Sequence, residues 1–178
     1  MSTTSVSTPP PDEPSTWGGK LNSTWNMYYH MPQDKSWDLS SYKVIMDNID
    51  TVDKVIALNG AVPESIIKYC MLFVMRKGIT PMWEDSKNRT GGAFSFKVIN
   101  KQVPVVWREL MMALSGETLA IDRNYSGSIN GITISPKKNF CIIKIWLATC
   151  NLQDPNLITQ ISLLSKQGCL FKKHEPEF

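Results

Sequence analysis

Two tryptophans stand where core packing is a poor account of an indole. Trp37 lies in QDKSWDLS and Trp83 in GITPMWEDSKNRTGG, polar stretches with Pro, Gly and charged neighbours that read as loops. Glu84 follows Trp83 directly. The face of an indole is the best side-chain partner for a flat organic cation, and a carboxylate beside it offers two acceptors to two adjacent N–H donors. An indole, an acid and a second indole from another loop therefore suit a guanine methylated at N7. That ring is cationic, and its N1–H and N2–H groups lie side by side. Each stacked face is worth ~1–3 kcal/mol. Taken singly, either tryptophan is as well explained by folding back over a core edge; the adjacent acid shifts the balance toward a site.

A nucleotide also needs cations for its phosphates. Lys137 and Lys138 in the loop SPKKNF are candidates, with Lys87 and Arg89 in the Trp83 stretch as further ones. A pair of surface lysines alone is ordinarily just a solvated loop. The remaining chemistry-bearing residues are sparse. His30 and His174 are far apart in sequence, which disfavours a His-triad hydrolase, and neither a Glu-rich metal helix nor a Gly-rich strand-to-helix turn is present. Cys70, Cys141, Cys150 and Cys169 lack metal-ligand spacing and read as small core hydrophobes. The residues thus point to binding without catalysis, with no metal and no cofactor. A non-specific single-strand RNA binder using the same aromatics is the competing class; it would not distinguish methylated from unmethylated guanosine.

The elements that must position these residues fit in one domain. The chain has 178 residues, 42% hydrophobic and 20% charged, with a net charge of +3, too small to coat nucleic acid by charge alone. Residues 1 to 20 are rich in Ser, Thr and Pro and are expected to form a flexible tail, with Trp17 as its one oddity. They carry no secretory pattern, and no apolar run reaches membrane-spanning length, so a cytoplasmic protein is expected. Residues 21 to 178 then form a single domain. Strands are predicted in TWNMYYH, SYKVIMD, YCMLFVMR, AFSFKVI, GITIS and FCIIKIWLA. Helices are predicted after Asp50 and Thr51, through Val55, Ile56 and Leu58; from Pro104, with Trp107, Leu110, Met111 and Leu114 on one face; and from Asp154 and Pro155, burying Leu157, Ile158, Ile161 and Leu164. A shorter helical turn starts at Pro63. Trp25, Trp107 and Trp146 fall within these periodic segments and are assigned to the core. Successive strands with single helices between them make the class α+β, a mostly antiparallel sheet with about three helices on one face.

The ordered run of WNMYYH, KSWDLS, DTVDKVIALNG, ITPMWEDSKNRTGG, VVWRELMMALSGE and IIKIWLAT, from about Leu21 to Ser165, resembles the eukaryotic translation initiation factor 4E family of messenger RNA cap-binding proteins, of which this is a short, divergent relative. The resemblance implies a curved sheet whose concave face holds the cap and whose convex face carries the helices. It implies Trp37 and Trp83 as the sandwich, Glu84 as the guanine reader, Met82 beside them, Trp146 closing on the N7 methyl in competition with its core assignment, and Lys137, with Lys138, on the phosphates. Two phosphate-holding positions depart from the family: Ala93 replaces an Arg and Ile142 replaces a Lys, so phosphate affinity is weakened or other lysines substitute. On the convex side Val52 and Gly116 are retained, Ile56 replaces a Trp and Arg108 a Leu, and Met112 completes the partner-binding set. The implied partners are capped mRNA and a scaffold of the initiation factor 4G type, or a repressor, recognised as a helix in a groove. The family's longer C-terminal loop has little counterpart before Phe178.

Overall fold

A computed structural model describes residues 18 to 176; residues 1 to 17 of the expected tail, Trp17 among them, fall outside these, and Lys20 at its expected end already belongs to the first strand. Seven strands form one sheet: β1 Lys20–His30, β2 Lys43–Thr51, β3 Met71–Arg76, β4 Gly92–Ile99, β5 Ile129–Pro136, β6 Phe140–Leu147 and β7 Leu170–Lys173, in the spatial order β2-β1-β3-β5-β6-β4-β7. Every pairing is antiparallel. Register shifts interrupt the β1–β2 and β5–β6 ladders, and such bulges bend and twist the strands that carry them. The sheet is curved and has a few helices on one face, the α+β class expected.

Strand alternation sorts the side chains into two layers. Leu72, Val74, Phe94, Phe96, Val98, Ile143 and Ile145 share the main core with the helices. Their neighbours Phe73, Met75, Ala93 and Trp146 form a second, smaller cluster with Ile79 on the opposite face, flanked by Tyr28, Tyr42, Met71 and Trp83. The first layer is covered by α1 Val52–Ala61, α2 Glu64–Tyr69 and α3 Val103–Ser115. Thr51 caps α1 by accepting from the Lys54 N–H at 3.4 Å, as its position predicts. Helix α3 has Pro104 in its first turn and buries Trp107, Leu110, Met111 and Leu114, the predicted stripe.

The third predicted helix is a correction. From Asp154 only a short 3-10 turn forms, Pro155–Leu157, in which the Asp154 carboxylate accepts from the Asn156 N–H. Beyond it Ile158 bridges to Ala120, the Thr159 N–H donates to the Leu119 carbonyl, and Leu163 adopts a positive φ of 62° that ends any helical path. Ile158, Ile161 and Leu164 are buried all the same, whereas Leu157 is only partly so. Tertiary pairing with the segment after α3 thus overrode a helical pattern of apolar spacing. The predicted turn at Pro63 is the full helix α2. Strand β7 has no counterpart in the sequence prediction.

Candidate functional site

The open face of the sheet holds a cavity of about 530 Å³, within the usual range for a small-molecule site. Its walls are Trp37, Asp38, Tyr42, Met71, Phe73, Pro81, Met82, Trp83, Glu84, Thr133, Ser135, Lys144 and Trp146. The two loop tryptophans, the acid, Met82 and Trp146 therefore meet in one place, although they come from three separated segments. Trp37 is 53% exposed, Trp83 half-buried and Glu84 exposed. Trp146 is buried at 3% exposure, as its core assignment expected, and also contributes to the cavity wall. Its indole N–H donates to the Thr133 hydroxyl at 3.2 Å, across the β5–β6 ladder in which Thr133 pairs with Lys144.

The segment carrying Trp83 and Glu84 contains no helix or strand, and polar side chains hold its shape. One carboxylate oxygen of Asp85 accepts from the N–H and the hydroxyl of Thr80, at 2.7 and 2.8 Å, and the other from the Lys87 N–H at 2.9 Å. Asn88 is fully buried, and its side-chain amide donates to the carbonyls of Thr80 and Met82 at 2.9 and 2.8 Å. Asn130 on β5 in turn donates to the Asn88 side-chain oxygen at 2.9 Å and to the Lys87 carbonyl at 2.8 Å. The loop's main-chain groups next to Trp83 are thus tied to the sheet, which supplies the fixed geometry a stacking platform needs. The Gly91–Gly92 pair closes the loop because nothing larger fits there: a Cβ on Gly91 would run into the Leu147 carbonyl, and one on Gly92 into Phe171.

Two electrostatic features mark the cavity. Burial and then the nearby charge of Glu84 push the Tyr42 phenol up to about 12, so it remains a neutral donor facing the acid's side. Lys144 is a cation in the wall that sequence reasoning overlooked. Its ammonium stands 5.6 Å from the Trp83 ring centre, and burial, then Lys172 and Lys137, lower its pKa. The signal was available: on β6, Lys144 and Trp146 are two residues apart and so share a face. Across the sheet Ala93 lies between Trp146 on β6 and Lys172 on β7, which brings a lysine beside the small residue. Ile142 pairs with Ser135 and Lys97. Lys137 and Lys138 are exposed in the β5–β6 turn and lie outside the cavity wall, with the Lys137 N–H closing that turn onto the Phe140 carbonyl. Lys87 and Arg89 are exposed on the Trp83 loop. Tyr42 is a further wall residue missed from sequence.

On the helical face, Ile56 on α1 is 54% exposed and Met112 on α3 is 47% exposed. Arg108 lies 3.7 Å from the Glu64 carboxylate, which also accepts from Lys68 at 2.9 Å. Val52 opens α1, and Gly116 ends α3 with its N–H donating to the Met112 carbonyl at 2.9 Å. Among the described residues no group of three or more His, Cys, Asp or Glu is placed to hold a metal ion, all four cysteines are free, and no helix is long and apolar enough to cross a membrane.

Comparison with known proteins agrees with this architecture. The eukaryotic translation initiation factor 4E-1 of Caenorhabditis elegans is 30% identical over 161 residues, spanning 87% of this chain and 73% of that protein. The human eukaryotic translation initiation factor 4E is 27% identical over 154 residues, spanning 83% and 68%. Among solved structures, C. elegans eIF4E-3 in complex with the 4E-binding protein Mextli and a cap analog superposes with a TM-score of 0.68 at 24% identity, covering 79% of this chain and 80% of that one. Ascaris suum eIF4E-3 with an m7G cap gives 0.67 at 23% identity, covering 78% of each. At these identities the two structures speak for the fold. The sequence model of eukaryotic initiation factor 4E matches residues 20–175, so the chain belongs to the eukaryotic initiation factor 4E family.

Proposed function

We propose that this chain binds the 7-methylguanosine cap of messenger RNA in the open-face cavity, performs no chemistry on it, and serves translation initiation in the cytoplasm. The observation that carries this is the convergence of Trp37, Trp83 and Glu84, from two separate loops, on one cavity whose wall also contains a lysine. The cationic purine stacks between the two indoles. Glu84 accepts from N1–H and N2–H. Trp146 and Met82 pack against the methyl and the purine edge. The phosphate chain runs toward Lys144, with Lys172 and Lys137 beyond it, and these take over from the cations that Ala93 and Ile142 do not supply. Lys138, next to Lys137 in the β5–β6 turn, is the further candidate for the phosphates.

Binding without catalysis is part of this reading and is tested together with it. The measurement that tests the proposal is quenching of intrinsic tryptophan fluorescence by 7-methylguanosine triphosphate against guanosine triphosphate. A strong preference for the methylated ligand supports it. Equal affinity would indicate a general single-strand RNA binder, and appearance of a processed product would indicate an enzyme.

For the helical face we propose a helical partner lying across α1 and α3, in contact with Val52, Ile56, Met112 and Gly116. Arg108 changes what this surface accepts. Its ion pair with Glu64 places a charge where an apolar contact would favour the usual scaffold motif, so a scaffold of the initiation factor 4G type with an altered sequence, or a repressor, is the partner. Capture from lysate on cap resin, with identification of what is retained, separates the two roles.

A further inference from the structure

The chain contains two histidines, and both are buried, His30 at 0% and His174 at 7% exposure. Each lies nearly flat against one of the two loop tryptophans of the cavity. The rings of His30 and Trp37 are 4.3 Å apart at 5°, and those of His174 and Trp83 are 5.8 Å apart at 13°. His174 also leans on Trp146 at 4.6 Å and 50°. Neither histidine lines the cavity that all three indoles line, so the imidazoles meet the indoles from outside it.

Each imidazole makes one hydrogen bond, and its partner is the main chain of the loop that bears the stacked tryptophan. His30 Nε2 pairs with the carbonyl of Ser36, next to Trp37, at 2.8 Å, and His174 Nδ1 with the carbonyl of Asn88, in the Trp83 loop, at 2.7 Å. A carbonyl only accepts, so in each ring that nitrogen carries the hydrogen. The opposite nitrogens, His30 Nδ1 and His174 Nε2, are buried with no partner. A neutral ring tolerates a buried lone pair far better than an imidazolium tolerates a buried, unpaired N–H. For His174, burial and then the charge of Lys144 work against protonation and outweigh the Asn88 carbonyl that favours it.

We infer that His30 and His174 are positioning residues for the two stacking tryptophans, whose flat rings set the height and tilt of each indole before the base arrives. This rests on the proposed use of the cavity. The stacked face carries the role, and the N–H serves to tie that face to the tryptophan's own loop. Phenylalanine has only the first and glutamine only the second. An indole fixed in advance also avoids the ordering cost that a mobile loop side chain would incur on binding.

The test uses the whole chain with His30→Phe, His174→Phe, His30→Gln and His174→Gln, each checked by circular dichroism and thermal melting and titrated with 7-methylguanosine triphosphate. The Gln variants should lose about 3- to 10-fold in affinity, the equivalent of one aromatic pair, and the Phe variants less than about 2-fold. A folded Gln variant with wild-type affinity, or Phe variants that lose as much as Gln variants, would overturn the inference while leaving cap binding intact. Should a Gln variant not fold, the wild-type protein decides by proton NMR. Imidazole ring protons shifted upfield by the indoles in the free protein, and remaining so in the complex, support the role; their return to ordinary positions on ligand binding overturns it. Wild-type protein that does not prefer the methylated ligand sinks both this inference and the function it rests on.

Discussion

The Lys144 ammonium stands 5.6 Å from the centre of the Trp83 ring, in the wall of the same cavity. In the proposed complex the phosphate chain would give this cation a partner. Lys144→Met should weaken 7-methylguanosine triphosphate by about 1.5–3 kcal/mol, the worth of a charged hydrogen bond. The phosphate-free nucleoside should bind the variant at least as well as wild type. Isothermal titration of both ligands checks this, and parallel losses for the two would rule out a phosphate role.

Glu84→Gln keeps the shape of the side chain and exchanges one acceptor for a donor. It should weaken the methylated ligand by about 1.5–3 kcal/mol. Trp37→Ala and Trp83→Ala should each weaken it more than Lys137→Ala does, because Lys137 lies outside the cavity wall. Fluorescence titration of the four variants gives the order, and equal losses would undo the assigned division of roles.

Asn88→Ala removes the amide that satisfies the Thr80 and Met82 carbonyls and the oxygen that receives Asn130. Each buried group left unsatisfied costs about 1–3 kcal/mol. Urea unfolding should show the stability loss, and ligand affinity should fall with it since the Trp83 loop loses its tie to β5.

Acidification should loosen the same loop through Asp85. Burial alone would raise its pKa, but the N–H groups of Thr80 and Lys87, the Thr80 hydroxyl and the Lys87 charge outweigh it and hold the carboxyl below its ordinary 3.8. A carboxylate with a lowered folded-state pKa contributes stability that is complete above the unfolded value and is lost as pH falls through the folded one. The pH dependence of unfolding should therefore steepen below about 3.8, the ordinary value. In Asp85→Asn that part of the slope should vanish. An unchanged slope in the variant would show that Asp85 does not couple to folding.

Ile56→Asp should leave stability within about 0.5 kcal/mol, as for other exposed sites, because Ile56 is 54% exposed. The same change should abolish retention of the helical-face partner on cap resin. Retention equal to wild type would place the partner elsewhere.

Local pattern determined much of this protein. Alternation in AFSFKVI and FCIIKIWLA set which residues face the helices, the i, i+3, i+4, i+7 spacing set the buried stripe of α3, and a large indole followed by an acid in a polar loop marked the Trp83 segment, all because side-chain direction follows backbone period. The tertiary structure decided what depends on residues distant in sequence. Ile158, Ile161 and Leu164 were buried along a segment that pairs with the stretch after α3, not by helix formation. Strand β7, only four residues long, was recruited by the edge of β4. Lys144 shares a face with Trp146 by strand alternation, but what that face meets was set by sheet order, and the two histidines, separated by most of the chain, each came to rest against a tryptophan. Short-range periodicity encodes the face a side chain takes, whereas the partner across that face is chosen by sheet order and loop closure, which no local window contains.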